Sequence, residues 1–219
     1  SHHWVIDEML GLPYERQLAT MRAYLDVLDQ AFAGPGVVRV DNGFFRLNQP
    51  LDIIDITPTP VLIAALGPKM LRLAGERTDG TILWLADERA IGDHIAPAIN
   101  AAAEAAGRAR PRIVAGVPVC LCGPDEVDVA VARANRVLSE AEISPNYQKL
   151  LDHGDARSIG DILAAGTEEM IERRLRSFAD AGVTDVSVRV VPIGNDRDEL
   201  IASSKRTRAY LASLRGQLA

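Results

Sequence analysis

The chain has 219 residues, of which 47% are hydrophobic, 25% charged and 5% aromatic, as expected of a globular protein with one substantial core or two small ones. Its net charge of −6 and its lack of a Lys/Arg cluster argue against nucleic acid as a partner, because phosphate neutralisation dominates that binding. No apolar run reaches the roughly 18 residues that span a bilayer, and no signal peptide is visible, so we predict a cytoplasmic protein without a membrane partner.

The first part of the chain predicts a helix, a hairpin and a connection. From Ile6 to about Ala33, apolar residues recur at helical spacing and end at a Gly-Pro-Gly turn. The stretch "VVRVDNGFFRL" contains Asn42-Gly43 between two β-rich runs, which is the strongest short hairpin signal. The proline-rich "NQPLDIIDITPTP" is interpreted as an extended surface connection.

After residue 60 the chain alternates between buried strands and helices. Four strands are predicted, over "VLIAAL", "GTILWLA", "RIVAGVPVCLC" and "VTDVSVRVVPIG", each followed by a helix. The helix over "TEEMIERRLRSFADAG" has Thr167 as its N-cap. The segment "GDARSIGDILAAG" is predicted to be loop with a short helical piece.

This alternation predicts a parallel sheet with crossover helices. The candidates are a doubly wound open sheet and a (β/α)8 barrel. Four strands alone would leave two edges of a buried sheet exposed, and a complete barrel needs about 250 residues. We therefore predict one α/β domain over residues 1–219 that is part of a barrel, with a lead-in helix, hairpin and connection over 1–58 and four β/α units over 59–219.

Two cysteines, Cys120 and Cys122, are two residues apart in a predicted strand, so both thiols face the same side. A metal site needs more ligands than this pair offers. We predict that both thiols pack in the core, and we predict no metal site. His94 and His153 lie in helical or loop contexts and are interpreted as structural or exposed.

The first strand passes into its helix through "AALGPKM". In parallel α/β folds ligands bind at the carboxyl ends of strands, where a helix N-terminus favours an anion. Ala64 and Ala65 are small, Gly67 permits close approach of a ligand to the backbone, and Lys69 adds a charge. A tight strand-to-helix turn without a ligand explains the pattern as well, and neither a dinucleotide fingerprint nor a P-loop is present.

The longer stretch "TPVLIAALGPKMLRLAGERTDGTILWL" resembles the central signature of the luciferase-like monooxygenase superfamily, in particular the subgroup that uses the deazaflavin coenzyme F-420. "SHHWVIDEMLGLPYERQLATMRAYLDVL" is similar to the stretch after barrel strand four, and "GTEEMIERRLRSFADAGVTDVSV" to the closing helix and strand eight. "ARSIGDILAAGT" and "VSVRVVPIG" fit more loosely. The resemblance implies a (β/α)8 TIM barrel of which the chain is the C-terminal part, lacking strands one to four.

The resemblance also implies hydride transfer between coenzyme F-420 and a small organic substrate at the carboxyl end of the barrel. The residues implied to contact the coenzyme are the N-terminal loop and the turn after the first strand: Ser1, His2, His3, Ala64, Ala65, Leu66, Gly67, Pro68 and Lys69. His2 is the one local candidate for catalysis, because the family's acid–base residues come largely from the missing strands. Trp84 ends the second strand and is interpreted either as a residue that stacks on substrate or coenzyme, or as a core aromatic.

Two other functions stay open at this point. One is an FMN-dependent two-component monooxygenase of the same superfamily, which shares the barrel and most of the turn. The other is a non-catalytic half-barrel that acts as a binding module. The superfamily also makes a homodimer possible, and the substrate is not readable from these residues.

Overall fold

The computed structural model describes residues 3–51, 59–138 and 145–214. The chain divides into two compact units, Ser1–Val61 and Leu62–Ala219. None of the helices that the structure describes has both the length and the apolar character needed to cross a membrane.

The first unit contains a π-helical turn over Val5–Met9 and the helix α1 over Gln17–Phe32. The prediction of one continuous helix from Ile6 is wrong. The chain leaves the helix because Gly11 takes a left-handed φ of +62° and Pro13 has no amide hydrogen to donate.

The hairpin of the first unit is confirmed. Strands β1 (Gly36–Asp41) and β2 (Arg46–Leu51) pair antiparallel. In the loop between them the Asn42 side-chain oxygen accepts hydrogen bonds from the amides of Phe44 and Phe45, at 3.3 and 3.0 Å. Since β2 extends to Leu51, the start of the predicted extended connection is strand, and its residues 52–58 lie outside the described residues.

The second unit is built on a five-stranded parallel sheet. Its strands are β3 (Leu62–Ala64), β4 (Gly80–Trp84), β5 (Arg112–Leu121), β6 (Ala164–Gly166) and β7 (Asp185–Val190). The four predicted strands are all present. In the segment predicted as loop with a short helical piece, a 3-10 helix forms over Ile159–Ile162 as predicted. Strand β6 corrects only the end of that segment, because three residues are too few to show a period and the strand forms only by pairing with the end of β5.

The long strand β5 is the centre of this sheet. On one edge, Arg112 N–H donates to Asp79 O and Cys122 N–H donates to Gly166 O, so β4 and β6 follow each other along that edge. On the other edge, Val119 O accepts from Val191 N–H and β7 runs alongside. The remaining strand, β3, pairs with β4.

Helices follow the strands as predicted. They are α2 (Pro68–Arg77), α3 (Glu88–Ala90), α4 (Ala96–Ala105), α5 (Val127–Leu138), α6 (Pro145–Asp152), α7 (Glu168–Asp180) and α8 (Arg197–Ser213). Thr167 caps α7 by accepting from Met170 N–H at 3.4 Å, as predicted.

A π-helical turn over Ile91–Ile95 joins α3 to α4. Ala96 N–H donates to Ile91 O, five residues back. Pro97 has no N–H and cannot continue the i−4 pattern, which accounts for the wider turn at this point.

The two faces of the sheet differ. On one face Ile113, Ala115, Val117 and Val119 are at most 1% exposed and form the core together with the helices. On the opposite face Ile82 is 45% exposed. A parallel sheet with one covered and one open face is the geometry of a partial barrel, whose open face is the barrel interior.

Candidate active site at the carboxyl edge of the sheet

The strands of the second unit are parallel, so their carboxyl ends lie at one edge of the sheet. In barrels of this class the ligand site is at that edge. The predicted residues Ala64 to Lys69 follow the end of β3 there, and Trp84 is the last residue of β4.

The turn from β3 to α2 leaves backbone donors free. Gly67 is the N-cap of α2, with φ −87° and ψ 155°, and no side chain caps the helix. Met70 and Leu71 both donate their amides to Gly67 O, at 3.0 and 2.9 Å. Pro68 at the first position has no N–H, so the amide of Lys69 is the first-turn donor without an intrahelical acceptor.

Gly67 differs from neighbouring glycines in that packing does not require it. A Cβ at Gly75 would lie 2.5 Å from Ile99 O, and one at Gly80, where φ is +156°, would collide with Arg112 O. At Gly67 φ is negative and a Cβ would meet no atom of the described residues within 4 Å. The space in front of this turn is therefore open, which suits the approach of a ligand to the backbone.

The other residues of the turn divide between the core and the solvent. Ala65 is buried, Leu66 is half-buried, and Ala64, Pro68 and Lys69 are exposed. The exposed face of the turn thus consists of the Ala64 methyl group, the Pro68 ring, backbone and the cation of Lys69. An oxyanion, such as a phosphate, fits this donor set.

Trp84 lies on the open face of the sheet, in register with Gly116 and Ser187. A Cβ at Gly116 would come within 2.5 Å of Trp84 Cε3, so the indole lies directly against the backbone of β5. The guanidinium of Arg189 is 5.9 Å from the centre of the indole ring. Trp84 is half-buried and is not a plain core aromatic. The sequence patterns singled out neither Gly116 nor Arg189.

Asp87, after β4, is a buried carboxylate that the sequence analysis did not single out. One oxygen caps α3 by accepting from Ala90 N–H at 2.8 Å. The other accepts from Asp155 N–H at 2.6 Å and Ala156 N–H at 2.7 Å. Gly154 is needed beside it, since a Cβ there would collide with the carboxylate. Asp87 thus ties the loop after α6 to the carboxyl edge.

The predicted N-terminal contacts are described only in part. Ser1 and His2 lie outside the described residues. His3 is exposed; its Nε2 lies 3.5 Å from Asp7 and its ring is edge-on to Tyr14 at 5.3 Å. These contacts stay within the first unit, so the coenzyme role of the three residues stays a prediction.

The two remaining histidines form a pair. The rings of His94 and His153 are 4.1 Å apart at their centres, and both side chains are exposed. Nearby, Arg89 binds Asp155 at 2.7 Å and Asp93 at 3.5 Å. The pair joins the helix after β4 to the loop after α6, next to the tie made by Asp87.

A family comparison decides the class of this barrel. The sequence model for the luciferase-like monooxygenase matches residues 1–185. The chain belongs to the luciferase-like monooxygenase family.

The chain is similar to several known proteins in sequence or in fold. A 76-residue segment is 33% identical to 5,10-methylenetetrahydromethanopterin reductase of Archaeoglobus fulgidus, covering 35% of this chain and 23% of that protein. The fold is similar to an F-420-dependent secondary alcohol dehydrogenase in complex with an F-420–acetone adduct, with a TM-score of 0.68, 16% identity and coverage of 94% of this chain and 66% of that one. It is also similar to the oxygenating constituent of 3,6-diketocamphane monooxygenase from Pseudomonas putida in complex with FMN, with a TM-score of 0.65, 15% identity and coverage of 94% and 67%.

These comparisons confirm the luciferase-like TIM barrel that the sequence predicted, present here as a partial barrel. The chain covers about two-thirds of each of the two solved structures. One of these two structures contains an F-420–acetone adduct and the other contains FMN.

Proposed function

We propose that this chain is part of an F-420-dependent oxidoreductase that transfers hydride between the coenzyme and a small organic substrate. The observation that carries the proposal is the open turn at Gly67, where no side chain of the described ranges caps the helix start or fills the space in front of it. When bound, the coenzyme supplies the hydride chemistry, and the protein supplies binding and orientation.

The chain's own residues would hold the phosphate end of the coenzyme. The free amide of Lys69 and the positive end of the α2 dipole attract an oxyanion, and the Lys69 ammonium adds charge from solvent. Ala64, being small and exposed at the end of β3, leaves room for the coenzyme to pass toward the open face.

Two of the similar proteins support an F-420-dependent oxidoreductase. The reductase segment from Archaeoglobus fulgidus has the highest identity quoted above, and the dehydrogenase with the F-420 adduct shares the fold. His2 as a catalytic residue, a homodimer and a cytoplasmic location stay predictions.

The second candidate is an FMN-dependent monooxygenase. It is favoured by the FMN complex, whose TM-score of 0.65 is close to the 0.68 of the F-420 complex. The turn at Gly67 fits either coenzyme, because both carry a phosphate.

The test is a binding titration, measured by calorimetry, of the protein expressed from its complete coding sequence. F-420 and FMN are titrated separately. We expect binding of F-420 that weakens by about tenfold or more in Gly67→Val, because the side chain fills the space in front of the amides. Lys69→Met separates the contribution of the charge. Gly92→Ala is the matched control, since its Cβ makes only ordinary contacts with Ala181 at 3.7 Å or more.

The outcomes separate the candidates. Tight binding of FMN without binding of F-420 establishes the second candidate. If neither coenzyme binds the folded wild type, both candidates are rejected. If F-420 binds equally well to wild type and Gly67→Val, the turn is not the phosphate site.

A further inference from the structure

The open face of the sheet is arranged in layers along β7. Asp185, Ser187 and Arg189 point to this face, in register with Val114, Gly116 and Pro118 of β5. Asp185 belongs to the layer nearest the amino ends of the strands, and Arg189 to the layer nearest the carboxyl edge. The two ends of the face differ in how their charges are matched.

At the amino end the charges neutralise each other. The guanidinium of Arg112 donates to both carboxylate oxygens of Asp185, at 2.6 and 3.0 Å. Thr184 adds a hydroxyl hydrogen bond to the same carboxylate at 2.7 Å. In this bidentate pair the charges of Arg112 and Asp185 are matched to each other.

At the carboxyl end a cation is not matched. Arg189 is exposed, and its neighbour is the ring of Trp84, 5.9 Å away. In the part of the chain that the structure describes, no carboxylate lies within ion-pair distance of its guanidinium. Barrel interiors are normally filled by layers of Val, Ile and Leu, so packing alone does not account for an arginine next to a tryptophan on this face.

We propose that Arg189, held against Trp84, binds an oxyanion of the substrate: a carboxylate, phosphate or sulfonate. A guanidinium stacked on an aromatic ring keeps its N–H edge free, and its fork matches two oxygens of an oxyanion. Gly116 leaves the space for the indole over which the guanidinium lies, 5.9 Å from the ring centre. The inference rests on the proposed function, because it takes the open face to be the interior of a coenzyme-binding barrel.

This subsite is separate from the turn at Gly67. The strands lie in the order β3, β4, β5, β7, and three spacings of about 4.8 Å place β3 and β7 roughly 14 Å apart. One phosphate cannot occupy both places. If the coenzyme phosphate binds at Gly67, Arg189 is available to bind the substrate.

The test uses inorganic phosphate as the probe and fluorine-19 NMR of protein labelled with 5-fluorotryptophan as the readout. The protein is expressed from its complete coding sequence, and the Trp84 signal is assigned with Trp84→Phe. In wild type we expect a saturable shift of this signal. In Arg189→Met the dissociation constant for phosphate rises by about tenfold or more, and Arg189→Lys lies between the two.

The control is Arg110→Met, which removes an exposed positive charge before β5, at the amino edge; it leaves the phosphate titration unchanged. Absence of a phosphate-dependent shift in wild type overturns the proposal, and so does an equal response in Arg189→Met or Arg110→Met. A separate titration of each Arg189 variant with F-420 and FMN shows whether the cation serves the coenzyme instead. If an Arg189 variant loses tenfold in coenzyme affinity while its phosphate binding is unchanged, the proposal is also overturned. If the wild type binds neither coenzyme, that result contradicts the proposed function and not the phosphate site.

Discussion

The indole of Trp84 lies against the backbone of Gly116, close enough that a Cβ at residue 116 would come within 2.5 Å of Cε3. One strand thus supplies the aromatic ring, and the neighbouring strand supplies the space for it. This contact places the ring beside Arg189 on the open face.

Gly116→Ala is expected to lower the free energy of unfolding by about 1–3 kcal/mol, because the new methyl group displaces the indole or the backbone of β5. Urea unfolding gives the stability, and the fluorine-19 signal of Trp84 gives the displacement. Gly92→Ala is the control: its Cβ would make only ordinary contacts with Ala181, at 3.7 Å or more, and alanine is favoured over glycine within a helix, so the unfolding free energy should not fall. Equal effects of the two substitutions would contradict this account of Gly116.

Asp87→Ala is expected to destabilise the protein by at least about 2 kcal/mol, because three backbone amides lose a buried acceptor. Hydrogen exchange is expected to increase at Asp155 and Ala156, the residues that Asp87 binds. Asp93→Asn, on the exposed side of the same helical segment, is the control and should cost no more than about 0.5 kcal/mol. An Asp87→Ala protein as stable as wild type would mean that the loop is held by other contacts.

The pair of Arg112 and Asp185 makes stability depend on pH. Hydrogen bonding from Arg112, together with the hydroxyl of Thr184 and the charge of Arg112, lowers the pKa of Asp185 in the folded protein, against the opposing effect of burial. The unfolded chain therefore takes up the proton first as the pH falls. The stabilising contribution is complete above the unfolded value of about 3.9 and is lost as the pH falls through the lower folded pKa.

Asp185→Asn removes this dependence. We expect its unfolding free energy to vary less than that of wild type between about pH 5 and pH 2, measured by urea unfolding at each pH. The control is Asp198→Asn in the first turn of α8, because it also removes one carboxylate. If wild type and Asp185→Asn show the same acid slope, the ion pair does not contribute to it.

Cys120 is expected to resist alkylation in the folded protein. Burial, and then the neighbouring Cys122, raise the pKa of its thiol to about 12, so its thiolate fraction at pH 8 is on the order of a thousand-fold below that of a free cysteine. Mass spectrometry of the tryptic peptide after iodoacetamide treatment measures the modification. The urea-unfolded protein is the control and should be modified readily at both cysteines; rapid labelling of Cys120 in the native state would show that the strand end opens.

The hydrophobic patterns predicted most of the second unit. Continuous apolar runs identified β4 and β5, and the capping residue Thr167 identified the start of α7. Both signals are local, because a buried strand and a capped helix each need particular residues in their own sequence. β6 had no such signal, since it is a strand only through its pairing with β5.

The candidate site was predictable where it is made of backbone. The Gly-Pro turn after β3 is contained in consecutive residues, and the family resemblance gave it a role. The contact between Trp84 and Arg189 was not predictable, because these residues are far apart in the chain and meet only through the register of β4, β5 and β7. The same holds for Asp87, whose amide partners come from a loop on the far side of α6.

By itself, then, the sequence determined the barrel class, the order of the strands and helices other than β6, and the strand-to-helix turn at Gly67, because periodicity, caps and turns act over a few neighbouring residues. The tertiary structure decided which charges are matched across the open face and which remain free. Arg112 meets Asp185 at one end of the sheet, and at the other end Arg189 lies over an aromatic ring with no carboxylate of the described residues paired to it. That difference depends on strand register, which brings together side chains more than seventy residues apart and leaves no local trace in the chain.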